Sequence, residues 1–261
     1  MFDIYAVRYG RLDLRSSSEN FIGGDEHDVS MPLDYFVWAI VGPNKTYLLD
    51  TGFDQAMGDK RRRKVVRPVN EGLAAIGVDP ASVTDVIISH MHFDHAGNND
   101  MFPKARYHVQ DREMAYCTGR CMCHGFLRHA FEVEDVKSMV DKTFAGRVEF
   151  HDGDDEIEPG LSVHRIGGHT QGLQVVRVQT RRGWVVLASD ASHFYANFEE
   201  QRPFPAVEDV ADMLEGYRTL RKLATSIDHI VPGHDPMVLQ RYPAAKPGLD
   251  AIVRLDLDCK R

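Results

Sequence analysis

The feature that most constrains this sequence is a dense cluster of metal-ligand residue types: His90, His92, Asp94 and His95 lie within six positions. Residues 84–89, an apolar run typical of a buried strand, lead directly into the cluster. Imidazole and carboxylate groups are ligands that zinc and similar first-row metals accept. A loop that leaves a strand can turn such closely spaced side chains toward one centre, whereas a helix would scatter them. The cluster therefore predicts a metal site in a loop at a strand end.

Three more residues of the same types follow other apolar runs. His169, Asp190 and His234 each come two or three positions after such a run. Because catalytic groups concentrate in loops at strand ends on a rigid scaffold, we expect these residues to meet the first cluster. The chain has 13 histidines, and we interpret the other eight as surface or core residues, with only His193 a candidate for more.

The rest of the chain predicts strands and helices in alternation, with no linker and no low-complexity segment. Predicted strands cover residues 4–9, 34–42, 46–50, 84–89, 105–109, 148–150, 161–166, 174–178, 184–188 and 227–231. Predicted helices cover residues 70–75, 111–142 and 207–224. This order indicates an α/β (α+β) fold in one domain, residues 1–261, with two mixed half-modules face to face, helices outside and a helical insert at about 111–142.

The composition is that of a globular protein and argues against one class of partner. Hydrophobic residues make up 43% and charged residues 27% of the chain, and the formal net charge is -8. Because nucleic-acid binding needs clustered lysine and arginine, this balance argues against a nucleic-acid partner. We interpret the one basic run, residues 60–64 with Arg67 nearby, as a solvated face; the alternative is a contact for an anionic substrate or another subunit.

The sequence shows no targeting, membrane or disulfide pattern. Residues 1–7 lack the features of a signal peptide, and no apolar stretch approaches the roughly 20 residues that cross a bilayer. Four cysteines without regular spacing are expected to be reduced thiols: Cys117, Cys121, Cys123 and Cys259. Cys121 and Cys123 lack the usual spacer of a zinc knuckle, which disfavours a metal site there. These features predict a cytoplasmic protein with no membrane partner.

The full ligand pattern resembles that of the metallo-β-lactamase superfamily. It consists of His90-x-His92-x-Asp94-His95 followed by His169, Asp190 and His234, and Asp50-Thr51-Gly52 matches the early aspartate motif of the family. The resemblance extends over nearly the whole chain. It implies a four-layer αββα sandwich with a two-metal site at one edge.

The resemblance also implies how the ligands divide between two divalent metal ions. Metal one would be held by His90, His92 and His169, and metal two by Asp94, His95 and His234, with Asp190 bridging. Zinc is the favoured metal, and iron, manganese and cobalt suit the same ligands. Asp50 either orients a ligand histidine or only caps a turn.

Within the superfamily, the chain is most similar to the N-acyl homoserine lactone lactonases. This implies hydrolysis of a small lactone by attack of a metal-bridging hydroxide on the carbonyl carbon, and, by analogy, a homodimer. Asp94 would steer protons as well as bind metal. The lactonases carry a tyrosine three positions after the bridging aspartate. Here that position is His193, and Tyr195 follows two later, so either side chain is a candidate to hydrogen-bond the developing oxyanion.

Several other functions stay open from the sequence. Another lactone, an ester, a cyclic amide, or a thioester as in glyoxalase II would suit the same hydrolytic site. A persulfide dioxygenase with one iron would also retain Asp190 and His234. True β-lactamases of this fold usually carry a cysteine where Asp190 stands, which argues against antibiotic hydrolysis. The intact set of seven ligand residues disfavours a ligand-binding protein without activity.

Overall fold

Two β-sheets form the centre of the structure, a computed structural model that describes residues 1–260. The strands are β1 (Asp3–Leu12), β2 (Leu33–Val41), β3 (Thr46–Leu49), β4 (Lys64–Val65), β5 (Asp85–Ile87), β6 (Arg106–Gln110), β7 (Val148–His151), β8 (Asp155–Glu158), β9 (Leu161–Arg165), β10 (Gln174–Thr180), β11 (Gly183–Ser189), β12 (Ile230–Pro232) and β13 (Ile252–Arg254). The first sheet has the order β13-β1-β2-β3-β5-β6-β7, with β4 paired to β1. The second has the order β12-β11-β10-β9-β8.

Helices cover the outer faces of both sheets. They are α1 (Gln55–Arg61), α2 (Val69–Ala75), α3 (Phe93–Ala96), α4 (Asp111–Cys117), α5 (Gly125–Arg128), α6 (Val133–Phe144), α7 (Tyr195–Glu200), α8 (Val210–Leu223) and α9 (Met237–Arg241). Among residues 1–260, no helix combines the length and the apolar character needed to cross a membrane.

Strand β2 shows how the layers are held together. Phe36 and Trp38 lie in the core cluster shared with β9, β10, β11 and α8. Val37 and Ala39 lie in the other cluster, with residues of α2 and α6. Because neighbouring side chains of a strand point to opposite faces, one fully buried strand serves both cores. The layers therefore run helix, sheet, sheet, helix, which confirms the expected αββα architecture.

Parallel pairing determines where the loops that carry function meet. Strands β3, β5, β6 and β7 are parallel neighbours in the first sheet, and β11 and β12 are parallel in the second. The carboxyl ends of parallel strands lie at one edge of a sheet, where ligand sites of such sheets usually form. The loops after β5, β11 and β12, which carry His90, Asp190 and His234, leave the sheets at the carboxyl ends of these parallel strands.

The predicted strands are all present, and each end lies within three residues of its predicted position. The last of them starts later than predicted. Residues 227–229 form a 3₁₀ turn instead, and the strand begins only at Ile230. The predicted helix at 207–224 starts later, at Val210, because the Asp209 side chain caps it by accepting from the backbone N–H of Asp212.

The expected helical segment at 111–142 is helical but broken into pieces. It contains α4, a 3₁₀ turn at Arg120–Cys123, α5, and the start of α6. Within α6, Met139 is buried against the first sheet, whereas Val133 is 67% exposed. The segment is therefore mostly helical, as expected, but it is divided into separate short helices.

Candidate metal centre

The seven predicted ligand residues lie together in one buried cluster, and none is more than 9% exposed. The first sheet contributes His90 and His92 after β5 and Asp94 and His95 in α3, and the second contributes His169 after β9, Asp190 after β11 and His234 after β12. The expectation that the whole first cluster lies in a loop is wrong for Asp94 and His95. They occupy the single turn α3, which is too short to carry its residues away from the centre.

Three imidazole rings form the first half of the cluster. The Nε2 atom of His90 lies 3.0 Å from Nδ1 of His92. The Nε2 atom of His169 lies 3.1 Å from Nε2 of His90 and 2.9 Å from Nδ1 of His92. Three ring nitrogens this close together can serve as ligands of one cation.

Asp190 connects this triad to the second half. Its Oδ2 atom lies 3.2 Å from Nε2 of His169, and its Oδ1 atom lies 3.0 Å from Nε2 of His234 and 3.4 Å from Nε2 of His95. The Oδ2 atom of Asp94 lies 3.6 Å from His95 Nε2 and 3.8 Å from His234 Nε2. The Asp190 carboxylate thus places one oxygen near the triad and the other near His95 and His234.

Backbone carbonyls determine which nitrogen of two ligand rings faces the centre. His169 Nδ1 donates to the carbonyl oxygen of Ala206, and His234 Nδ1 donates to that of Asp34 at 2.9 Å. A carbonyl only accepts, so the neutral form of each ring keeps its proton on Nδ1 and a lone pair on Nε2. Both lone pairs point into the cluster, as metal ligation requires.

Asp50 orients the third such ring and does more than cap a turn. Its Oδ2 atom lies 2.8 Å from His95 Nδ1, and it also accepts from the N–H and hydroxyl of Ser89. His95 Nε2 has no hydrogen-bond partner among the described residues. A buried ring nitrogen held without a partner fits a cation ligand.

Two residues beside His95 adopt a strained backbone. Asp50 has φ 62° and Ser189 has φ 43°, a left-handed region that costs non-glycine residues roughly 1–3 kcal/mol. The Ser189 hydroxyl donates to Ser89 Oγ, so both strained residues belong to the network around His95. Strain of this kind is typical of functional sites.

The first triad is electrostatically suited to stay neutral. Burial, followed by the neighbouring imidazoles, lowers the pKa of His90 and His92 well below the usual histidine value. Burial also lowers the pKa of His169, against the opposing effect of Asp190. These rings therefore present lone pairs at neutral pH.

The second half behaves in the opposite way. Burial acts to lower the pKa of His95 and His234, but the carboxylates of Asp190 and Asp94 outweigh it and raise both. Burial acts to raise the pKa of Asp190, but His234 and His95 outweigh it and hold it well below the usual value. The neighbouring carboxylates therefore favour the cationic form of both rings.

The two predicted catalytic side chains near Asp190 have different surroundings. His193 Nε2 lies 3.0 Å from Asp190 Oδ2, and its ring stacks on Phe204 at a centroid distance of 3.6 Å. Tyr195 instead packs beneath the guanidinium of Arg241, 3.6 Å from the ring centroid. It lines a separate cavity of about 660 Å³ that none of the seven ligand residues lines. Only His193 contacts the cluster.

A different tyrosine contacts the ligand set. The ring of Tyr35 in β2 meets the His234 ring edge to face at 5.0 Å. Its hydroxyl accepts from Nε of Arg63, a residue of the basic run, at 2.8 Å. Burial, followed by the Asp94 carboxylate, raises the pKa of Tyr35, so the hydroxyl stays protonated. The sequence offers no signal for this contact, because Tyr35 and His234 are 199 positions apart.

Comparison with known proteins agrees with this geometry. The family model of the metallo-beta-lactamase superfamily matches residues 31–235. An N-acyl homoserine lactonase of Bacillus cereus is 28% identical over 249 residues, which cover 89% of this chain and 92% of the relative. Another from a Bacillus species is 30% identical over 165 residues, 62% of this chain and 60% of the relative.

A solved structure is similar over almost the whole chain. It is an N-acyl homoserine lactone hydrolase with the product N-hexanoyl-L-homoserine bound at its catalytic metal center. The TM-score is 0.72 at 25% identity, and the match covers 91% of this chain and 95% of that one. With a family match over most of its length and the ligand pattern gathered at one sheet edge, this chain belongs to the metallo-β-lactamase superfamily.

Proposed function

We propose that this protein is a dinuclear metal-dependent hydrolase that opens a small lactone ring, with an N-acyl homoserine lactone as the favoured substrate and zinc as the favoured metal. The observation that carries the proposal is the position of Asp190, with one carboxylate oxygen toward His169 and the other toward His234. The relatives named lactonases and the homoserine product in the solved relative support the choice of substrate class.

The donor set suits two divalent cations. His90, His92 and His169 would hold one, and Asp94, His95 and His234 the other, with Asp190 shared. Divalent cations at such a site supply Lewis acidity, which polarises a carbonyl oxygen and lowers the pKa of water to about 7. The carboxylates of Asp94 and Asp190 balance part of the added positive charge.

The chain's own groups would orient the site and handle protons. Burial lowers the pKa of His193 to about 3, so its ring is neutral and can donate from Nε2 to Asp190 Oδ2. That bond fixes the carboxylate between the two ligand groups. Since the Tyr35 hydroxyl accepts from Arg63, its own proton is free to be donated to a developing oxyanion.

An apolar wall adjoins the first triad and suits the acyl part of such a substrate. His92 and His169 line a surface depression of about 20 Å³ together with Tyr116, Phe126 and Leu127, so an acyl chain would lie along this wall and not inside a cavity. Phe126 is 68% exposed, so its ring is accessible to an apolar ligand. We place the acyl chain there and the lactone ring over the metal ligands.

A substrate panel on zinc-loaded protein tests the proposal. We expect about two metal ions per chain and a higher kcat/KM for N-acyl homoserine lactones than for a simple ester or a glutathione thioester, because the site combines a two-metal donor set with an apolar wall. Metals are counted in the same sample. Preference for the thioester, or a single iron with oxygen uptake on a persulfide, would replace the proposal with one of those activities.

Two buried tyrosines provide a matched test of the oxyanion donor. We expect Tyr35→Phe to lower kcat/KM by about 10²–10³-fold, the usual cost of one lost donor, with unchanged metal content. Tyr195→Phe should stay within about twofold, because its ring packs under Arg241 and lines a cavity that none of the seven ligand residues lines. The reverse order of effects would restore Tyr195 to the site and remove Tyr35.

A further inference from the structure

Glu113 is a fully buried carboxylate beside the metal centre, on helix α4, and is only 1% exposed. It forms no ion pair among residues 1–260. Within the described residues, the hydrogen bonds of its carboxylate all come from two loops, one from each sheet. A buried carboxylate costs free energy unless donors satisfy it, so these contacts hold it in place.

One carboxylate oxygen binds the loop of the first sheet. Glu113 Oε1 accepts from the backbone N–H of Met91 at 2.8 Å. Met91 stands between His90 and His92, and its own side chain is fully buried. The bond therefore fixes the backbone segment that carries two of the three triad rings.

The other oxygen binds the loop of the second sheet. Glu113 Oε2 accepts from the Thr170 hydroxyl at 2.6 Å and from the backbone N–H of Gly172 at 3.2 Å. Thr170 directly follows His169, the third triad ring, and is fully buried. One side chain thus connects the supports of all three rings.

Gly172 makes this close contact possible. A Cβ atom at Gly172 would lie 2.1 Å from the backbone nitrogen of Glu113 and 2.4 Å from its Cα. Both are backbone atoms, which cannot move aside by a side-chain rotation. The first turn of α4 therefore packs directly against the second loop, and only glycine permits that approach.

We propose that Glu113 is a positioning residue for the metal centre, which holds the 90–92 loop and the 169–172 loop at the separation that lets His90, His92 and His169 bind one cation. The inference deepens the proposed function and shares with it only the assumption that the triad binds metal. Partners that orient ligand groups commonly change metal affinity by 10–100-fold when they are lost.

The test measures metal affinity directly and needs no substrate. Glu113→Gln keeps the acceptor for Met91 but turns an amide N–H₂ toward the Gly172 N–H. The Gly172 bond is then lost, and the Thr170 hydroxyl has to accept instead of donate, which weakens the connection to the second loop. We expect the Kd for the cobalt or zinc ion at the triad to rise 10–100-fold in chelator competition. The visible absorption of the cobalt-loaded protein should change as well, because the triad geometry relaxes.

Two further variants separate positioning from a general loss of stability. Thr170→Val removes one donor on the second loop at similar volume and should shift affinity in the same direction by a smaller factor. Asp256→Asn is the matched control, a fully buried carboxylate that binds Arg254 and the Ile4 N–H. It should lower Tm without changing metal affinity. If Glu113→Gln fails to fold, Thr170→Val decides the proposal by the same measurement.

The outcomes distinguish this proposal from the proposed function. Wild-type affinity in folded Glu113→Gln and Thr170→Val would overturn the positioning role, whatever the activity. Wild-type protein that binds metal but opens no lactone, with weakened binding in both variants, would overturn the function and support the positioning role. A wild-type chain that binds no metal would overturn both.

Discussion

Asp190→Asn is expected to bind at most one metal ion tightly and to open lactones at least about 10³-fold more slowly than the wild type, a larger loss than the roughly 10²–10³-fold that one oxyanion donor accounts for. The reason is that both oxygens are used. Oδ2 faces His169 and Oδ1 faces His234, so an amide can place an acceptor toward only one half of the site.

The measurement combines metal quantification after gel filtration with single-turnover and steady-state rates. Asp256→Asn is the matched control, since it also neutralises a fully buried aspartate but lies in the network of Arg254 and Ile4. It should keep both metals and most of the activity. Two tightly bound metals and near wild-type rates in Asp190→Asn would remove the shared carboxylate from the scheme.

The two metal sites are expected to respond differently to pH. Below the raised pKa values of His95 and His234, the affinity of the second site should fall by up to about 100-fold for each unit that pH falls, while that of the first site changes little. In the metal-free protein the pKa values of His95 and His234 are raised, so both rings are protonated below those values. Metal binding must release both protons, and each contributes a factor of about ten per pH unit.

The direction of this pH dependence follows from the direction in which each histidine pKa is shifted. Above the raised pKa values the rings of His95 and His234 are already neutral, so affinity levels off as pH rises. His90 and His92 have lowered pKa values and are neutral throughout this range, so the first site releases almost no protons. Titration calorimetry in buffers of different ionisation enthalpy counts the protons for each metal. Equal proton release at both sites would contradict the assignment.

Asp50 offers a variant that tests the same argument. Its carboxylate is among the groups that raise the pKa of His95. Asp50→Asn should therefore leave the second site with a shallower pH dependence, together with weaker binding because the ring loses its orienting partner. An unchanged pH dependence would show that Asp190 and Asp94 raise the pKa of His95 without help from Asp50.

Local pattern was sufficient for most of the fold. Runs such as the one that ends at Ser89 are apolar, short and bounded by turn residues, so their strand character does not depend on distant parts of the chain. Strands β8 and β13 lacked this signal. The sequence of β8 is Asp-Glu-Ile-Glu, and β13 has three residues at the edge of the first sheet, so their pairing depends on the neighbouring strand.

The contrast between Tyr195 and Tyr35 shows where local pattern failed. Proximity in sequence to Asp190 favoured Tyr195, but α7 begins at that residue and its ring packs under Arg241. Tyr35 is far from every ligand in sequence and reaches His234 only because β2 and β12 bring their ends together, with the Asp34 N–H donating to the His234 carbonyl. The direction of a side chain depends on how its helix or strand packs, so nearness to a ligand residue in sequence does not predict it.

By itself, the sequence predicted the candidate ligand types, their number and their place at strand ends, because these depend on spacings of a few residues and on the chemistry of imidazole and carboxylate. Only the tertiary structure decided which side chains support the ligands. Glu113 lies 57 positions from Thr170 and 22 from Met91, and its role follows from α4 packing against Gly172. The burial of Glu113 and the positions of its hydrogen-bond donors exist only once the two sheets have packed together. No short segment of the sequence therefore predicts them.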